Sequence, residues 1–128
     1  MKGEKGFSFI EVVIALAVLG IIAVGFLGGL ATASKGLMIA DERETANNLA
    51  EAQIEHIKRQ AYDIINNPPQ YSLVAGFPSS YSIDQPLAVR LDRDGDGDTS
   101  TDEGIQKITV TVRHGGKEVL TLEDYKVN

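Results

Sequence analysis

The chain has 128 residues, a formal net charge of −6, a pI near 4.8 and no cysteine. A segment near the N-terminus is too apolar for a soluble core, which leaves roughly 90 residues for one small folded domain. The acidic balance argues against binding to nucleic acid, because such surfaces carry clustered basic side chains. The absence of cysteine excludes disulfides, thiolate metal sites and a cysteine nucleophile.

The first predicted element is a membrane-spanning helix. No charged residue occurs from Val12 to Ser34, and a run of this length can cross a bilayer as a helix. Lys2 and Lys5 precede the run, which predicts a cytoplasmic N-terminus, a single pass through the inner membrane and the rest of the chain outside it. Two other interpretations are open: an ordinary signal anchor, or a signal peptide cleaved after Ala33. The second is disfavoured because the apolar region of a signal peptide usually has about 7–15 residues.

Glu11 is a carboxylate inside an apolar stretch that begins at Phe7, and an ionisable group in that setting needs a partner or a function. The sequence Gly-Phe-Ser-Phe-Ile-Glu from Gly6 to Glu11, followed by the apolar run, closely resembles the N-terminal motif of type IV prepilins and pseudopilins. In that family a membrane aspartyl peptidase cuts after the glycine and methylates the new N-terminus. The resemblance implies a leader at residues 1–6, cleavage between Gly6 and Phe7, and N-methylphenylalanine as the first mature residue.

The position of Glu11 fits this processing. Cleavage would create an ammonium group on Phe7, and Glu11 lies one helical turn away at i+4, near the positive end of the helix dipole. In the family this glutamate is thought to neutralise the N-terminal amine of a neighbouring subunit, and a buried pair costs less than two unpaired charges. The alternative is that Glu11 lies at a helix start and reaches the lipid headgroups. The resemblance therefore assigns Gly6 and Phe7 to processing, and Phe7 and Glu11 to assembly.

The helix is predicted to continue beyond the membrane as an amphipathic helix. Apolar or small residues recur at steps of three and four between Ala46 and Ile65. No proline occurs before Pro68, so the span at residues 7–34 and the continuation at 35–67 are expected to form one helix. Several glycines mark either points of local melting or close helix packing in the membrane. They are Gly25, Gly28, Gly29 and Gly36.

Residues 68–128 are predicted to form an antiparallel β region. Apolar residues alternate with polar ones in short runs, and Gly115-Gly116 suits a two-residue hairpin turn. The expected strands lie near residues 81–83, 87–91, 107–113 and 118–122. The predicted fold class is α+β and pilin-like. A long N-terminal helix, transmembrane in its first half and amphipathic in its second, packs on a small antiparallel sheet.

Residues 92–103 form an acidic loop that matches the twelve-position calcium-loop pattern, with Gly97 at the sixth position. The ligands assigned by this pattern are Asp92, Asp94, Asp96, the backbone carbonyl of Asp98, Ser100 (directly or through water) and Glu103. Hard oxygen donors at this spacing suit Ca²⁺ as a structural ion. The alternative is a solvated acidic turn, although six carboxylates against Arg93 alone repel one another unless a cation is bound.

The resemblance implies a structural subunit of a type IV pilus or a type II secretion pseudopilus. Its partners would be other pilin or pseudopilin subunits, the prepilin peptidase and methyltransferase, and membrane lipid before assembly. The filament would then be extracellular or periplasmic. Some family members staple the C-terminal region with a disulfide and others with calcium, so a chain without cysteine is expected to use the ion. The modest length favours a minor subunit.

The sequence leaves two other classes of function to consider. A membrane-anchored or secreted calcium-binding domain that never polymerises would keep the loop but need neither Gly6 nor Glu11. An enzyme is not expected, because His56 falls on the predicted helix and His114 in the predicted turn, each without an evident nucleophile partner.

Overall fold

The computed structural model describes residues 6–128, so most of the predicted leader lies outside the described residues. The described elements are α1 (Phe9–Arg59), β1 (Tyr81–Ile83), β2 (Leu87–Arg90), β3 (Ile105–His114) and β4 (Lys117–Val127). The chain divides into two compact units, the first ending at Ile39 and the second spanning Ala40–Asn128. The predicted α+β arrangement of a long N-terminal helix and a small antiparallel sheet is confirmed.

Helix α1 changes its surroundings along its length. Up to Asp41 every described side chain is exposed, whereas Ala46, Ala50, Ile54 and Ile57 are buried. Their spacing of three and four places them on one face of the helix, which packs on the sheet. The amphipathic pattern predicted for this part of the chain is therefore confirmed as far as Ile57.

Helix α1 ends at Arg59, eight residues before the predicted end at residue 67 (67 − 59 = 8). The ammonium group of Lys126 donates hydrogen bonds to the carbonyls of Ile57, Lys58 and Gln60, at 2.8, 3.0 and 2.7 Å. A continuing helix would need these carbonyls for its next turn. The buried lysine therefore caps the C-terminus of α1, where a cation also complements the helix dipole.

Residues 60–72 follow the helix and are called the connection below. Several of their backbone amides donate to side chains instead of to helical carbonyls. The carboxylate of Asp63 accepts from the amides of Ile65, Asn66 and Gln70, at 3.0, 3.1 and 2.8 Å. Short side chains that satisfy nearby amides in this way compete with helix formation. Ile64 and Ile65, which the helical pattern assigned to the apolar face, are exposed.

Strand β3 is the centre of the sheet. It pairs antiparallel with β4 along one edge, and with both β1 and β2 along the other. Alternate residues of β3 are buried against α1, including Ile108, Val110 and Val112, as expected for a sheet with one covered face. The predicted hairpin turn is also confirmed, since Gly115 and Gly116 have φ values of 56° and 82° between β3 and β4.

The larger apolar residues of strand β2 face solvent, although their pattern predicts that they face the core. Leu87 and Val89 are 55% and 39% exposed, whereas Ala88 and Arg90 are buried. In register, Ala88 lies opposite Ile108 and therefore faces the core. The inward face of this short strand thus carries a charged residue, which needs partners inside the protein.

Polar side chains join the connection to the helix and the sheet. Tyr71 donates its hydroxyl hydrogen to Gln106 on β3 at 2.5 Å, and Gln106 donates to the carbonyl of Asp63 at 2.8 Å. On α1, Gln53 donates to the carbonyl of Ser72 and accepts from the amide of Val74. Gln53, Tyr71 and Gln106 are almost fully buried, so these hydrogen bonds satisfy groups that water does not reach.

Candidate functional site

The predicted processing and assembly residues lie at the start of α1. Gly6 and Phe7 precede the helix and are exposed, and Glu11 lies in its first turn. The carbonyl of Ser8 accepts hydrogen bonds from the amides of Glu11 and Val12, at 2.9 and 3.2 Å. Ser8 and Glu11 also have the spacing of a capping box. The glutamate therefore lies where the unpaired helix amides and the dipole favour a negative charge.

An apolar groove surrounds Glu11 on the first unit. Its volume is about 440 Å³, and it is lined by Phe7, Glu11, Val12, Ala15, Leu16 and Leu19. A carboxylate among apolar side chains is costly unless a cation approaches it. The groove thus combines an apolar contact surface with one carboxylate.

The rest of the first unit exposes large apolar side chains. Ile21, Val24 and Leu37 are each more than 70% exposed. Helix α1 is long and apolar enough to cross a membrane, and none of its most apolar stretch is buried within the described chain. Soluble proteins rarely expose so large an apolar surface, so this segment requires lipid or other helices around it.

The second candidate site is the acidic loop between β2 and β3. Asp92, Asp94, Asp96 and Glu103 bring one carboxylate oxygen each within 4.8 Å of one another. These are four of the six residues that the calcium pattern assigned. Like charges at such separations repel strongly, and a divalent cation among them would reverse the sign of the interaction.

The same carboxylates also shape the backbone of the loop. Asp92 accepts hydrogen bonds from the amides of Gly95 and Gly97, at 2.5 and 2.7 Å. Glu103 accepts from the amides of Arg93 and Asp94, the latter at 3.0 Å. Gly95 and Gly97 have φ values of 82° and 83°, which glycine adopts without strain. Glu103 is thereby fastened to the first part of the loop.

Asp98 and Ser100 are arranged differently from the four converging carboxylates. The carboxylate of Asp98 accepts from the amide of Ser100 at 2.8 Å and from the hydroxyl of Thr101 at 3.0 Å. Its side chain is thus engaged in a local turn. The carbonyl of Ser100 accepts a hydrogen bond from Arg90 at 2.6 Å.

Hydrogen bonds within the loop favour the charged form of its acids. The amide of Gly97, followed by that of Gly95, lowers the pKa of Asp92 below its usual value. Hydrogen bonds from Ser100 lower the pKa of Asp98 in the same way. Both groups are therefore anionic at neutral pH.

Asp102, one of the six carboxylates of the loop sequence, points into the protein. Its side chain is 9% exposed, accepts hydrogen bonds from Tyr62 and Gln106 at 2.8 Å each, and lies 3.4 Å from Arg90. Burial tends to raise its pKa, but these hydrogen bonds and the guanidinium outweigh burial, so the pKa of Asp102 is lowered. The loop therefore presents five carboxylates to solvent rather than six.

Sequence reasoning missed Arg90, Asp102 and Lys126 as structural groups. The period-2 pattern of β4 offered a signal for Lys126, because Leu120, Leu122 and Lys126 share one face. Arg90 gave no such signal. The apolar residues of its strand, Leu87 and Val89, predict that they face the core, whereas they face solvent and Arg90 is buried. Asp102 cannot be told apart from the other acids of the loop by sequence, because its partners Tyr62, Gln106 and Arg90 lie outside the loop.

Comparison with known proteins supports the reading of the N-terminus. Residues 1–27 match the family described as the prokaryotic N-terminal methylation motif. No curated protein and no solved structure matches the chain significantly. The motif supports a subunit of the pilin or pseudopilin type, and the motif together with the apolar helix supports membrane anchoring. The chain thus carries the prokaryotic N-terminal methylation motif, in agreement with the family of type IV pilins and pseudopilins.

Proposed function

We propose that this protein is a non-enzymatic structural subunit of a type IV pilus or a type II secretion pseudopilus. The observation that carries the proposal is the methylation motif at residues 1–27 together with the apolar first part of α1, in which every side chain up to Asp41 is exposed. Such a helix is stable in lipid before assembly and among the helices of other subunits afterwards. The protein would lie in the inner membrane with its N-terminus in the cytoplasm, and then in an extracellular or periplasmic filament.

Processing and assembly would use the residues at the start of α1. The prepilin peptidase would cut between Gly6 and Phe7, both exposed ahead of the helix, and the new amine of Phe7 would be methylated. Glu11 would neutralise the amine of a neighbouring subunit. The apolar groove beside Glu11 supports this role. In such surroundings an unpaired carboxylate or amine is costly, and a direct contact between the two offsets that cost.

The N-terminus of the mature protein tests this proposal. The protein is isolated from its native membrane or filament and analysed by intact-mass and peptide mass spectrometry, with a strain lacking the peptidase as control. A chain that begins at methylated Phe7 in the wild type, and at Met1 in the control, supports the proposal. A start at Ser34, or at Met1 in both strains, contradicts it and favours a secreted or simply anchored domain.

We further propose that the acidic loop holds a structural Ca²⁺ ion. The donor set fits a hard divalent cation, with four carboxylates converging, a backbone carbonyl at the seventh position and glycine at the sixth. The ion would be held by Asp92, Asp94, Asp96, Asp98, Ser100 and Glu103. It would supply the positive charge that the loop lacks and fasten the two ends of the loop together.

Thermal unfolding with and without calcium tests the site. Millimolar calcium is expected to raise the Tm of the full chain in mild detergent by several degrees, because a ligand that binds only the folded state stabilises it. Asp96→Ala should lose this increment, whereas Asp124→Ala, which removes a carboxylate outside the loop, should keep it. A Tm that calcium leaves unchanged would count against the site.

A further inference from the structure

The guanidinium of Arg90 joins the acidic loop to the connection. Arg90 is 7% exposed, and its Nη1 donates to the carbonyl of Ser100 in the loop at 2.6 Å. Its Nη2 donates to the carbonyls of Ile64 and Asn66 in the connection, at 2.8 and 3.1 Å. One rigid, buried group therefore fixes the backbone of both segments.

Asp102 makes a second link between the same two segments. It is adjacent to Glu103, the last residue of the loop, and its carboxylate accepts from the hydroxyl of Tyr62 in the connection at 2.8 Å. The same carboxylate accepts from Gln106, which also donates to the carbonyl of Asp63. A movement of Glu103 would therefore displace the contacts that its neighbour Asp102 makes with the connection.

The ion pair between Arg90 and Asp102 does not include a hydrogen bond at Arg90 Nε. Among the buried side-chain atoms of residues 6–128, Arg90 Nε has no hydrogen-bond partner, and Asp102 Oδ2 lies 3.4 Å away from it. An unsatisfied buried donor is costly, so a small shift of residue 102 toward Arg90 would be favourable. Contraction of the loop around a cation, with Glu103 as a ligand, would move the chain at this point.

We propose that Arg90 and Asp102 couple a divalent cation in the acidic loop to the order of the connection that follows α1. This inference rests on the proposed calcium site. Cation binding stabilises residues 60–72, and the anchored connection in turn raises the affinity of the loop for the cation, because linkage is reciprocal. Arg90 is a positioning residue, since it contributes no oxygen to the ion.

Coupling through the connection and simple electrostatics predict opposite effects of removing Arg90 on the affinity for calcium. Arg90 is a cation near an acidic loop, so by Coulomb's law its removal alone would strengthen the binding of another cation. Coupling through the connection predicts that removal weakens binding instead. Arg93→Met is the matched control, because it removes an exposed cation of the loop itself and should leave calcium affinity unchanged or increase it.

The first measurement is calcium affinity by isothermal titration of the metal-stripped full chain in mild detergent. Arg90→Met and Arg90→Lys are both expected to bind calcium about five- to tenfold more weakly than the wild type. The lysine variant keeps the charge and loses only the planar fork, and it serves if the methionine variant does not fold. Binding as tight as or tighter than the wild type in the folded variants would overturn the inference.

The second measurement is hydrogen exchange of the wild-type chain with and without calcium, followed by mass spectrometry of peptides. Calcium is expected to slow exchange by about tenfold in both the loop and the connection, and in Arg90→Lys mainly in the loop. Slowing confined to the loop of the wild type would overturn the coupling and leave the calcium site intact. Absence of both calcium binding and loop protection would overturn the site and the coupling together, whereas the test of the N-terminus is independent of both.

Discussion

The two units of the chain differ in the exposure of their apolar side chains. Residues 7–39 expose theirs, whereas residues 40–128 bury a cluster in which Ile57, Ile108 and Val110 have almost no contact with solvent. One helix runs through both units, so helical propensity does not distinguish them. The difference lies in what covers the apolar surface: the second unit supplies its own sheet, and the first requires lipid or other helices around it.

Charged groups follow the same division. In the second unit the buried cations Arg90 and Lys126 both have partners within the unit. In the first unit Glu11 lies in an apolar groove, and the proposed partner belongs to another subunit. A substitution at Glu11 should therefore affect assembly and leave the folded unit intact, whereas a substitution in the core should do the reverse.

The largest effect is expected for Glu11→Gln. Glutamine keeps the capping spacing after Ser8 but cannot neutralise an amine, and breaking a buried charge pair costs about 3–5 kcal/mol. The amount of this subunit in sheared or purified filaments should fall by more than about tenfold at equal expression. Glu44→Gln removes the same group from an exposed position of α1 and should assemble normally. Equal incorporation of both variants would contradict the assembly role of Glu11.

The next largest effect is expected for a substitution in the core of the second unit. Ile57→Ala should lower the free energy of unfolding of the second unit by about 2–5 kcal/mol, because it leaves a cavity at a fully buried position. Ile22→Ala, an equal truncation at an exposed position of the first unit, should leave that value almost unchanged. Urea unfolding of the full chain in mild detergent can be followed by tyrosine fluorescence, since all four tyrosines lie beyond residue 40 and tryptophan is absent. Equal losses in both variants would show that the two units do not unfold separately.

The sequence predicted the elements well where hydrophobic periodicity is strong. The apolar run, the helical pattern from Ala46 to Ile57 and the alternation around Val110 each correspond to an observed element. The acidic loop was predicted from spacing, and four of its six assigned residues converge. These features depend on residues that are close together in the chain.

Features that depend on distant residues were not predictable in the same way. The end of α1 is fixed by Lys126, which lies 67 positions beyond Arg59 (126 − 59 = 67). The inward direction of Arg90 depends on the carbonyls of Ile64 and Asn66, which accept from its guanidinium. Local propensity contains no information on such contacts, and tertiary interactions override it.

A smaller loss is expected for Lys126→Met. Methionine retains much of the apolar stem but removes the donor to the carbonyls of Lys58 and Gln60, while the carbonyl of Ile57 keeps the amide of Gln60 at 3.1 Å. The expected cost is about 1–3 kcal/mol. Lys107→Met, which breaks a partly exposed pair with Glu123 at 3.2 Å, should cost at most about 1 kcal/mol. The same urea experiment compares the two variants. A loss no larger for Lys126 than for Lys107 would show that other groups satisfy the helix end.

The smallest effect, and one that depends on pH, is expected for Asp63→Asn. The amide of Gln70, followed by Asn66, holds the pKa of Asp63 well below its usual value, so the carboxylate stabilises the folded state at neutral pH. This contribution is present above about pH 4, the ordinary pKa of aspartate, and is lost as the pH falls through the lower pKa of the folded state. The variant should therefore melt a few degrees below the wild type at pH 7, with a difference that shrinks toward pH 2. Melting curves of both chains in metal-free buffer at several pH values test this expectation, because other acids titrate equally in the two proteins and cancel in the difference. A gap that stays constant with pH would mean that the geometry of the connection, and not the charge of Asp63, carries the stabilisation.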